Sequence, residues 1–305
     1  MKTIYFLLVV IGAIFCTSCN KENAEEIIPS KSLLSVTTNV NEMVSRAAMP
    51  TNSQMGLFIT TGSIGNVYDN TSANSNVKAV LGASAWTLTP PVYLSANNAT
   101  IYAYTPYSAS ATSGTSIPVD VASAVADYCY GKSSGMINAK TPSATITMNH
   151  ALTKVRFKIS KASTYTGTGK LTEISINGST NNTICAQGTL NISTGAITAT
   201  TTSAHTITKT NSSGLYTITA VAPTDVQAAP LDFTLIPATF QAKEINMSFT
   251  IDGKIFTFSV PAGSWEKGKI NTYTLSLGGT SLTVTDVSVS VSDWIAGVSA
   301  SGELK

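Results

Sequence analysis

Residues 152–159, Leu-Thr-Lys-Val-Arg-Phe-Lys-Ile, alternate between apolar and charged side chains. Val155, Phe157 and Ile159 fall on one face of an extended chain, and the cations between them fall on the other face. Such alternation predicts a strand whose apolar side is buried and whose charged side lies in water. Because this strand lies near the middle of the chain, we expect it to open a second sandwich after a first one has ended.

The composition of the whole chain also favours β-structure. Charged residues make up 11% of the 305 residues, against roughly 25% in an average soluble protein. Thr, Ser and Asn take their place, and these residue types suit pleated surfaces and turns. Short apolar segments are separated by Gly-bearing turns, of which Asp252-Gly253 is the strongest hairpin signal. We predict an all-β fold of two tandem antiparallel β-sandwiches, at residues 47–147 and 148–305.

Several function classes are disfavoured. The net charge of +2 provides no basic surface for nucleic acid. His150 and His205 have no Cys, Asp or Glu at metal-ligand spacing in the sequence, so we expect His150 to be a packed structural residue. Residues 131–135 match the hydrolase pattern Gly-x-Ser-x-Gly, but Pro142 prevents the helix that must follow it. We predict a protein that is not an enzyme and uses no metal or cofactor.

The N-terminus carries an export signal. Lys2 and the apolar run at residues 4–15 predict a secretory signal peptide over residues 1–18, too short to span a bilayer. The segment that ends at Cys19 resembles a bacterial lipobox, with Cys16 where Leu or Val is usual. We predict lipid attachment at Cys19, with an ordinary signal cleavage nearby or processing at Cys16 as alternatives. Acyl chains on this cysteine would form a durable membrane anchor when more than one is attached.

Residues 19–46 are predicted to form a tether and a leader strand. A polar, acidic segment comes first, and apolar or β-branched residues then alternate with Ser, Thr and Asn. The alternating positions are Leu34, Val36, Thr38 and Val40. Arg46 is followed by Ala47 and a loop-like Pro-Thr-Asn, which makes it an accessible site for a trypsin-like protease. On the sequence alone, a solvated Arg in a linker is the better interpretation.

Aromatic residues and cysteines of the folded part each leave two interpretations open. Tyr102, Tyr104 and Tyr107 lie close to Trp86 in sequence and could stack on sugar rings. Tyr102 and Tyr104 also share one face of a predicted strand, which favours core positions with solvated hydroxyls. The remaining pair, Cys129 and Cys185, could form a disulfide, but we favour two buried free thiols.

The C-terminal segment holds two alternating apolar runs whose phase changes at Asp286. The apolar positions are Leu282 and Val284, then Val287, Val289 and Val291. The two runs would face opposite sides unless the chain kinks between them. The segment is either the last strand of its own domain or a candidate donor strand that reaches a neighbouring molecule.

Three short sequence motifs resemble those of the fimbrillin family of Bacteroidales surface lipoproteins. They are Ile-Tyr-Ala-Tyr-x-Pro-Tyr at residues 101–107, His-Ala-Leu at residues 150–152 and Trp-x-x-Gly at residues 265–268. Each motif alone is weak evidence for the family, but the order and spacing of the three together are specific. The resemblance implies two transthyretin-like β-sandwiches, export as a lipoprotein and a place on the cell surface in a fimbrium.

The same resemblance implies roles for particular residues. Cys19 would carry the lipid, and a trypsin-like surface protease would cut between Arg46 and Ala47. The leader strand would then leave, and the vacated groove would accept a strand from the next subunit. We expect a shaft or anchor subunit that supports adhesion, with other fimbrial subunits as partners and a receptor on a host or bacterial surface. The alternative is a monomeric surface glycan-binding lipoprotein.

Overall fold

Strands dominate the fold, which confirms the predicted all-β class. The computed structural model describes residues 30–40, 49–122, 127–179, 183–200, 206–279 and 289–293. Its strands are β1 (Ser32–Leu33), β2 (Ser35–Val40), β3 (Gln54–Thr60), β4 (Val77–Leu81), β5 (Trp86–Thr89), β6 (Tyr93–Leu94), β7 (Thr100–Thr105), β8 (Ile117–Asp120), β9 (Cys129–Ser133), β10 (Ser143–His150), β11 (Thr153–Lys161), β12 (Lys170–Gly178), β13 (Gln187–Asn191), β14 (Ala196–Ala199), β15 (Thr206–Thr210), β16 (Tyr216–Thr217), β17 (Phe233–Leu235), β18 (Ala238–Phe240), β19 (Ile245–Ile251), β20 (Lys254–Ser259), β21 (Gly263–Trp265), β22 (Lys269–Leu277) and β23 (Val289–Asp293).

Helices are short and few in the part of the chain that the structure describes. One α-helix, α1, is a single turn. The helical segments are α1 (Asp225–Ala228) and the 3₁₀ turns Tyr68–Asn70, Ser72–Asn74 and Ala229–Leu231. Within those described residues, no helix has the length and apolar character to cross a membrane.

The N-terminal half is built on one seven-stranded sheet in the order β2-β10-β9-β7-β3-β4-β5. Neighbouring strands run antiparallel except β2, which pairs parallel to β10. The sheet curls so far that its two outermost strands touch. The Trp86 Nε1–H of β5 donates a hydrogen bond to Thr38 Oγ1 of β2, over 3.1 Å. One face of this sheet covers an apolar core that includes Met55, Leu57 and Ile101, all fully buried.

The C-terminal half contains two facing sheets, in the orders β17-β11-β22-β23 and β15-β12-β19-β20. Strands β11 and β22 pair in parallel, a second departure from strictly antiparallel order. Phe157 of β11 packs edge-on against Phe233 and Phe249, with ring centroids 6.0 and 5.2 Å apart. Phe249 lies on β19 of the other sheet, so this edge-to-face contact, a favoured arrangement of aromatic rings, joins the two sheets.

The central strand β11 confirms one half of its predicted pattern and corrects the other. Val155, Phe157 and Ile159 are fully buried, as the alternation predicts. The charged face is not in water, because Arg156 is only 9% exposed. Its guanidinium donates two hydrogen bonds to the buried Asp232 carboxylate, over 2.8 and 2.7 Å. A bidentate carboxylate offsets the cost of removing the cation from water, and this explains why the face can be covered.

The two halves of the chain are closely joined. Strand β8 of the first half pairs with β13 of the second in a three-stranded sheet, β14-β13-β8. Phe58, Tyr102 and Tyr104 lie in the same apolar cluster as the core of the second half. The boundary between residues 147 and 148 therefore stays a prediction, since one core draws residues from both sides of it.

The Asp252-Gly253 hairpin predicted from the sequence is confirmed. It joins β19 to β20, and its two residues have φ angles of 49° and 74°, a left-handed conformation that a two-residue turn requires. The Asp252 carboxylate accepts hydrogen bonds from the hydroxyls of Tyr165 and Thr168 and from the backbone N–H groups of Gly169 and Lys170. Burial alone would raise the pKa of Asp252, but these hydrogen bonds outweigh it and hold the pKa well below its usual range.

Candidate functional site

The leader strand β2 occupies an edge of the seven-stranded sheet. It hydrogen-bonds to a single strand, β10, in parallel register from Ser35 opposite Ser143 to Val40 opposite Met148. Leu34 and Val36 point into the core and are 4% and 2% exposed, whereas Thr37 is exposed. Thr38 and Val40 are half-buried. The strand therefore completes an apolar core while being held along one side of its backbone.

The beginning of the leader is held by a separate set of contacts. Strand β1 pairs antiparallel with β6, so that Leu33 lies opposite Tyr93. The backbone N–H of Leu34 donates to the carbonyl of Val92, and that of Ser35 donates to Pro142, each over 2.9 Å. The leader thus crosses from one partner strand to another at the point where its first buried side chain enters the core.

Side-chain hydrogen bonds also hold the leader, through the hydroxyls of Thr37 and Thr38. Thr38 Oγ1 accepts the hydrogen bond of the Trp86 indole already described. The hydroxyls of Thr37 and Thr145 lie 3.1 Å apart on the outer face of the sheet. Neither contact involves an ion pair. In the described part of the leader, these contacts join uncharged groups only, and the backbone pairing with β10 defines the register.

The predicted processing residues of the N-terminus lie outside the described residues. Cys19, Arg46 and Ala47 are among them, and the description resumes at Met49, whose side chain packs on the first core. The bond between Arg46 and Ala47 lies between β2 and β3 in chain order. A cut there would separate the leader covalently from every later strand.

The candidate donor segment is described only at its end. Leu282, Val284 and Val287 lie outside the described residues. Val289 and Val291 belong to β23, which pairs antiparallel with β22, Val289 opposite Tyr273. Strand β23 therefore forms an edge of its own chain's sheet.

Tyr102 and Tyr104 belong to the core, as we favoured from the sequence, whereas Tyr107 is half-buried. Tyr102 and Tyr104 are 7% and 0% exposed. A Cβ at Gly56 would lie 2.1 Å from the Tyr104 ring, so the ring fills the space that this glycine leaves open. Burial raises the pKa of Tyr104 to about 12, and its hydroxyl lies 2.7 Å from Asn76 Oδ1. These two rings offer no face on which a sugar could stack.

Cys129 and Cys185 are both buried free thiols, which confirms the interpretation we favoured. Cys129 adds a feature that sequence spacing missed, because its Sγ lies 3.5 Å from His150 Nδ1. His150 is buried, as expected of a structural residue, and its Nδ1 also lies 2.7 Å from Asp127 Oδ2. Only the pairing of β9 with β10 reveals that these residues are neighbours, since His150 lies opposite Cys129 in that register.

A Cys–His–Asp catalytic triad is not formed by these residues. In a triad the two ring nitrogens of the histidine contact different partners, one the nucleophile and the other the carboxylate. Here Cys129 and Asp127 both approach the same Nδ1 of His150. Burial and the neighbouring carboxylate raise the pKa of the Cys129 thiol well above its ordinary value, which disfavours the reactive thiolate.

The fold is similar to those of solved Bacteroides proteins described as candidate cell adhesion proteins. A candidate cell adhesion protein from Bacteroides uniformis is 20% identical, with a TM-score of 0.63 and a match covering 87% of this chain and 99% of that one. A candidate cell adhesion protein from Bacteroides ovatus is 15% identical, with a TM-score of 0.64 and the same two coverages. No curated protein matches the chain. The fimbrillin-like family model matches residues 38–294, and the chain therefore belongs to the fimbrillin-like family.

Proposed function

We propose that this protein is a shaft or anchor subunit of a cell-surface fimbria, exported as an outer-membrane lipoprotein, matured by proteolysis and polymerised by strand exchange. The observation that carries the proposal is the leader strand β2. It is an edge strand with one hydrogen-bonded neighbour, yet the side chains of its Val36 and of Leu34 just before it are buried in the first core. Its loss would leave an apolar groove beside the unpaired backbone of β10, a surface that captures a matching extended segment.

The size of these contacts suits a strand that stays in place until it is cut. Complete burial of a Leu or Val side chain stabilises by about 1.5–3 kcal/mol, so Leu34 and Val36 together contribute several kcal/mol. While the leader is part of the chain, its local concentration is high and the groove stays filled. After a cut it binds as a separate peptide, and a competing strand at sufficient concentration replaces it.

The order of the proposed processing sites distinguishes a shaft from an anchor. Cys19 precedes the leader, and Arg46 follows it. Cleavage between Arg46 and Ala47 by a trypsin-like surface protease would remove lipid and leader together, which produces a shaft subunit. A copy that escapes cleavage would keep its lipid and remain in the outer membrane as an anchor. The assembled fimbria would support adhesion to a receptor on a host or bacterial surface.

The donor of the incoming strand is proposed to be the segment that contains Leu282, Val284, Val287, Val289 and Val291. Its end, β23, is an edge strand on β22, so it can leave without disturbing a second neighbour. Each of its two runs alternates with the same period as the leader, and the run Val287, Val289 and Val291 lies beyond the phase change at Asp286. The alternative of a monomeric glycan-binding lipoprotein loses its main support, since Tyr102 and Tyr104 are buried.

The N-terminal residue of the protein recovered from the cell surface tests the proposal. We expect Ala47 in polymers and lipid-modified Cys19 in any membrane-bound copy. Arg46→Ala should abolish the Ala47 terminus and the polymers. Lys31→Ala provides the matched control, because it removes an exposed basic residue of the same leader and should change neither. An N-terminus elsewhere, or normal polymers from Arg46→Ala, would contradict the proposed maturation.

Membrane attachment is tested separately with Cys19→Ala. We expect this variant to leave the membrane fraction, since the acyl chains supply the anchor. A Cys19→Ala variant that stays fully membrane-bound and unprocessed would contradict lipid attachment at Cys19, without bearing on the strand exchange.

A further inference from the structure

Three side chains of different ligand types meet where β9 and β10 come together. Cys129 begins β9 and stands directly opposite His150, the last residue of β10. Side chains of such cross-strand partners lie on the same face of a sheet, close enough to touch. Asp127 precedes Cys129 by two residues and its carboxylate reaches the same place. Its side chain is 36% exposed, whereas Cys129 and His150 are 4% and 8% exposed, so the cluster is buried with one side open to solvent.

The distances within the cluster resemble the edges of a metal tetrahedron. With Zn–S of about 2.3 Å and Zn–N or Zn–O of about 2.0 Å, the ligand atoms of tetrahedral zinc stand about 3.3–3.6 Å apart. Cys129 Sγ lies 3.5 Å from His150 Nδ1 and 3.6 Å from Asp127 Oδ2. The third edge, between Asp127 Oδ2 and His150 Nδ1, is 2.7 Å and would have to open. That opening, about 0.6 Å, falls on the partly exposed carboxylate, which has room to move.

We propose that Asp127, Cys129 and His150 bind one divalent transition-metal ion, zinc in class, with solvent as the fourth ligand. On binding, the Cys129 thiol releases its proton to solvent, and a proton on Nδ1 of His150 is exchanged through solvent to Nε2, so that the Nδ1 lone pair faces the ion. The thiolate and the carboxylate together balance the charge of the ion. Sulfur and imidazole ligands select zinc-like ions over magnesium or calcium, which take oxygen ligands.

The consequence for the molecule is a cross-link at the base of the leader's partner strand. Strand β10 carries the leader β2 along one side, and His150 ends β10 two residues beyond Met148, the partner of Val40. The backbone of Ala151 also donates to the carbonyl of Tyr128, so the two halves of the chain meet here. A bound ion would fasten β9 to β10 and stabilise the folded state by mass action.

Cobalt(II) titration of the purified, reduced protein tests the site, because tetrahedral cobalt bound to a thiolate gives a near-ultraviolet charge-transfer band. We expect one cobalt per chain in the wild type and in Cys185→Ser, the control that removes the other buried thiol. Cys129→Ser should lose the band. Asp127→Ala should weaken cobalt binding at least about tenfold, as the loss of a direct ligand exceeds the loss of its supporting contacts. Added zinc should displace the cobalt and raise Tm in wild type and Cys185→Ser alone.

The proposal is overturned if the wild type gives no thiolate band with stoichiometric cobalt, or if the band survives Cys129→Ser. A band that disappears in Cys185→Ser would assign the ion to Cys185 instead of Cys129, and this result would also overturn the proposal. Near-ultraviolet circular dichroism reports whether each variant is folded. If Cys129→Ser fails to fold, Asp127→Ala decides, because its side chain is partly exposed and its removal leaves the core intact; an unchanged affinity in that variant refutes the site.

Discussion

At the scale of single residues, Arg156 differs most from what its sequence neighbourhood suggests. Alternation along residues 152–159 places it among cations on a solvent-facing side, yet it is buried beneath α1 and the segment that precedes β17. Two acidic residues from that cover approach it, Asp232 with a side chain 10% exposed and Asp225 with one 68% exposed. The two contacts share one guanidinium but differ in burial and in geometry, since Asp232 accepts two hydrogen bonds and Asp225 approaches only to 3.4 Å. They therefore offer a direct comparison of a buried and an exposed ion pair.

We expect Asp232→Ala to lower the free energy of unfolding by about 3–5 kcal/mol, because it leaves a buried guanidinium without its bidentate partner. Asp225→Ala, the matched control, removes contacts of 3.4 Å to Arg156 and 2.6 Å to Lys158. Its side chain is exposed, so we expect a loss of less than about 1 kcal/mol. Urea denaturation of the two variants measures the difference. Equal losses would mean that neither burial nor the bidentate geometry strengthens the Asp232 pair.

Which residue contacts were predictable depends on sequence separation. The burial of Val155, Phe157 and Ile159 follows from local alternation, and so does the Asp252-Gly253 turn. Asp232 lies 76 residues from Arg156, so nothing local indicates that the charged face is covered. The cluster of Cys129 and His150 likewise depends on the register of two strands, and spacing along the chain does not reveal that register.

At the scale of elements, the leader strand was predictable as a strand but not in its partner. Alternation identified Leu34 and Val36, and both are buried. The strand that pairs with β2, β10, lies more than a hundred residues further on and runs parallel. Parallel pairs need long connections, which turn signals cannot reveal. The pairing makes the leader an edge strand with one neighbour, which is the position that the proposed strand exchange requires.

We expect Val36→Ala to weaken retention of the cut leader roughly tenfold, since the lost methyl groups contribute about 1.5 kcal/mol. Thr37→Ala is the control on the opposite, exposed face of the same strand and should change retention little. After trypsin cleavage, native mass spectrometry measures the fraction of protein that still carries the leader. Loss of the leader to the same extent in both variants would show that core burial does not hold it.

At the scale of the whole molecule, the first apolar core is fully covered in the described residues only while β2 is present. Removing it uncovers one side of the first core, whereas the second core keeps its two facing sheets. The two halves are joined by the pairing of β8 with β13 and by Tyr102 and Tyr104, which pack in the core of the second half. Activation by cleavage would therefore change one edge of an otherwise intact molecule. Sequence patterns predicted two sandwiches but not this shared core, because its contacts join strands distant in the chain.

Locking the leader in place tests most directly whether β2 must leave for subunits to assemble. Thr37 and Thr145 are register partners with hydroxyls 3.1 Å apart, on an exposed face. Neighbouring strands lie about 4.8 Å apart, within the roughly 4.4–6.8 Å that a disulfide spans between Cα atoms. The double variant Thr37→Cys with Thr145→Cys should therefore form a disulfide between β2 and β10.

The measurement is the size distribution of this double variant after cleavage following Arg46, before and after reduction. We expect the oxidised protein to remain monomeric with its leader attached, and the reduced protein to polymerise as the cleaved wild type does. The single variant Thr37→Cys should polymerise under both conditions. Polymers of normal length from the fully oxidised, locked protein would contradict strand exchange at this edge.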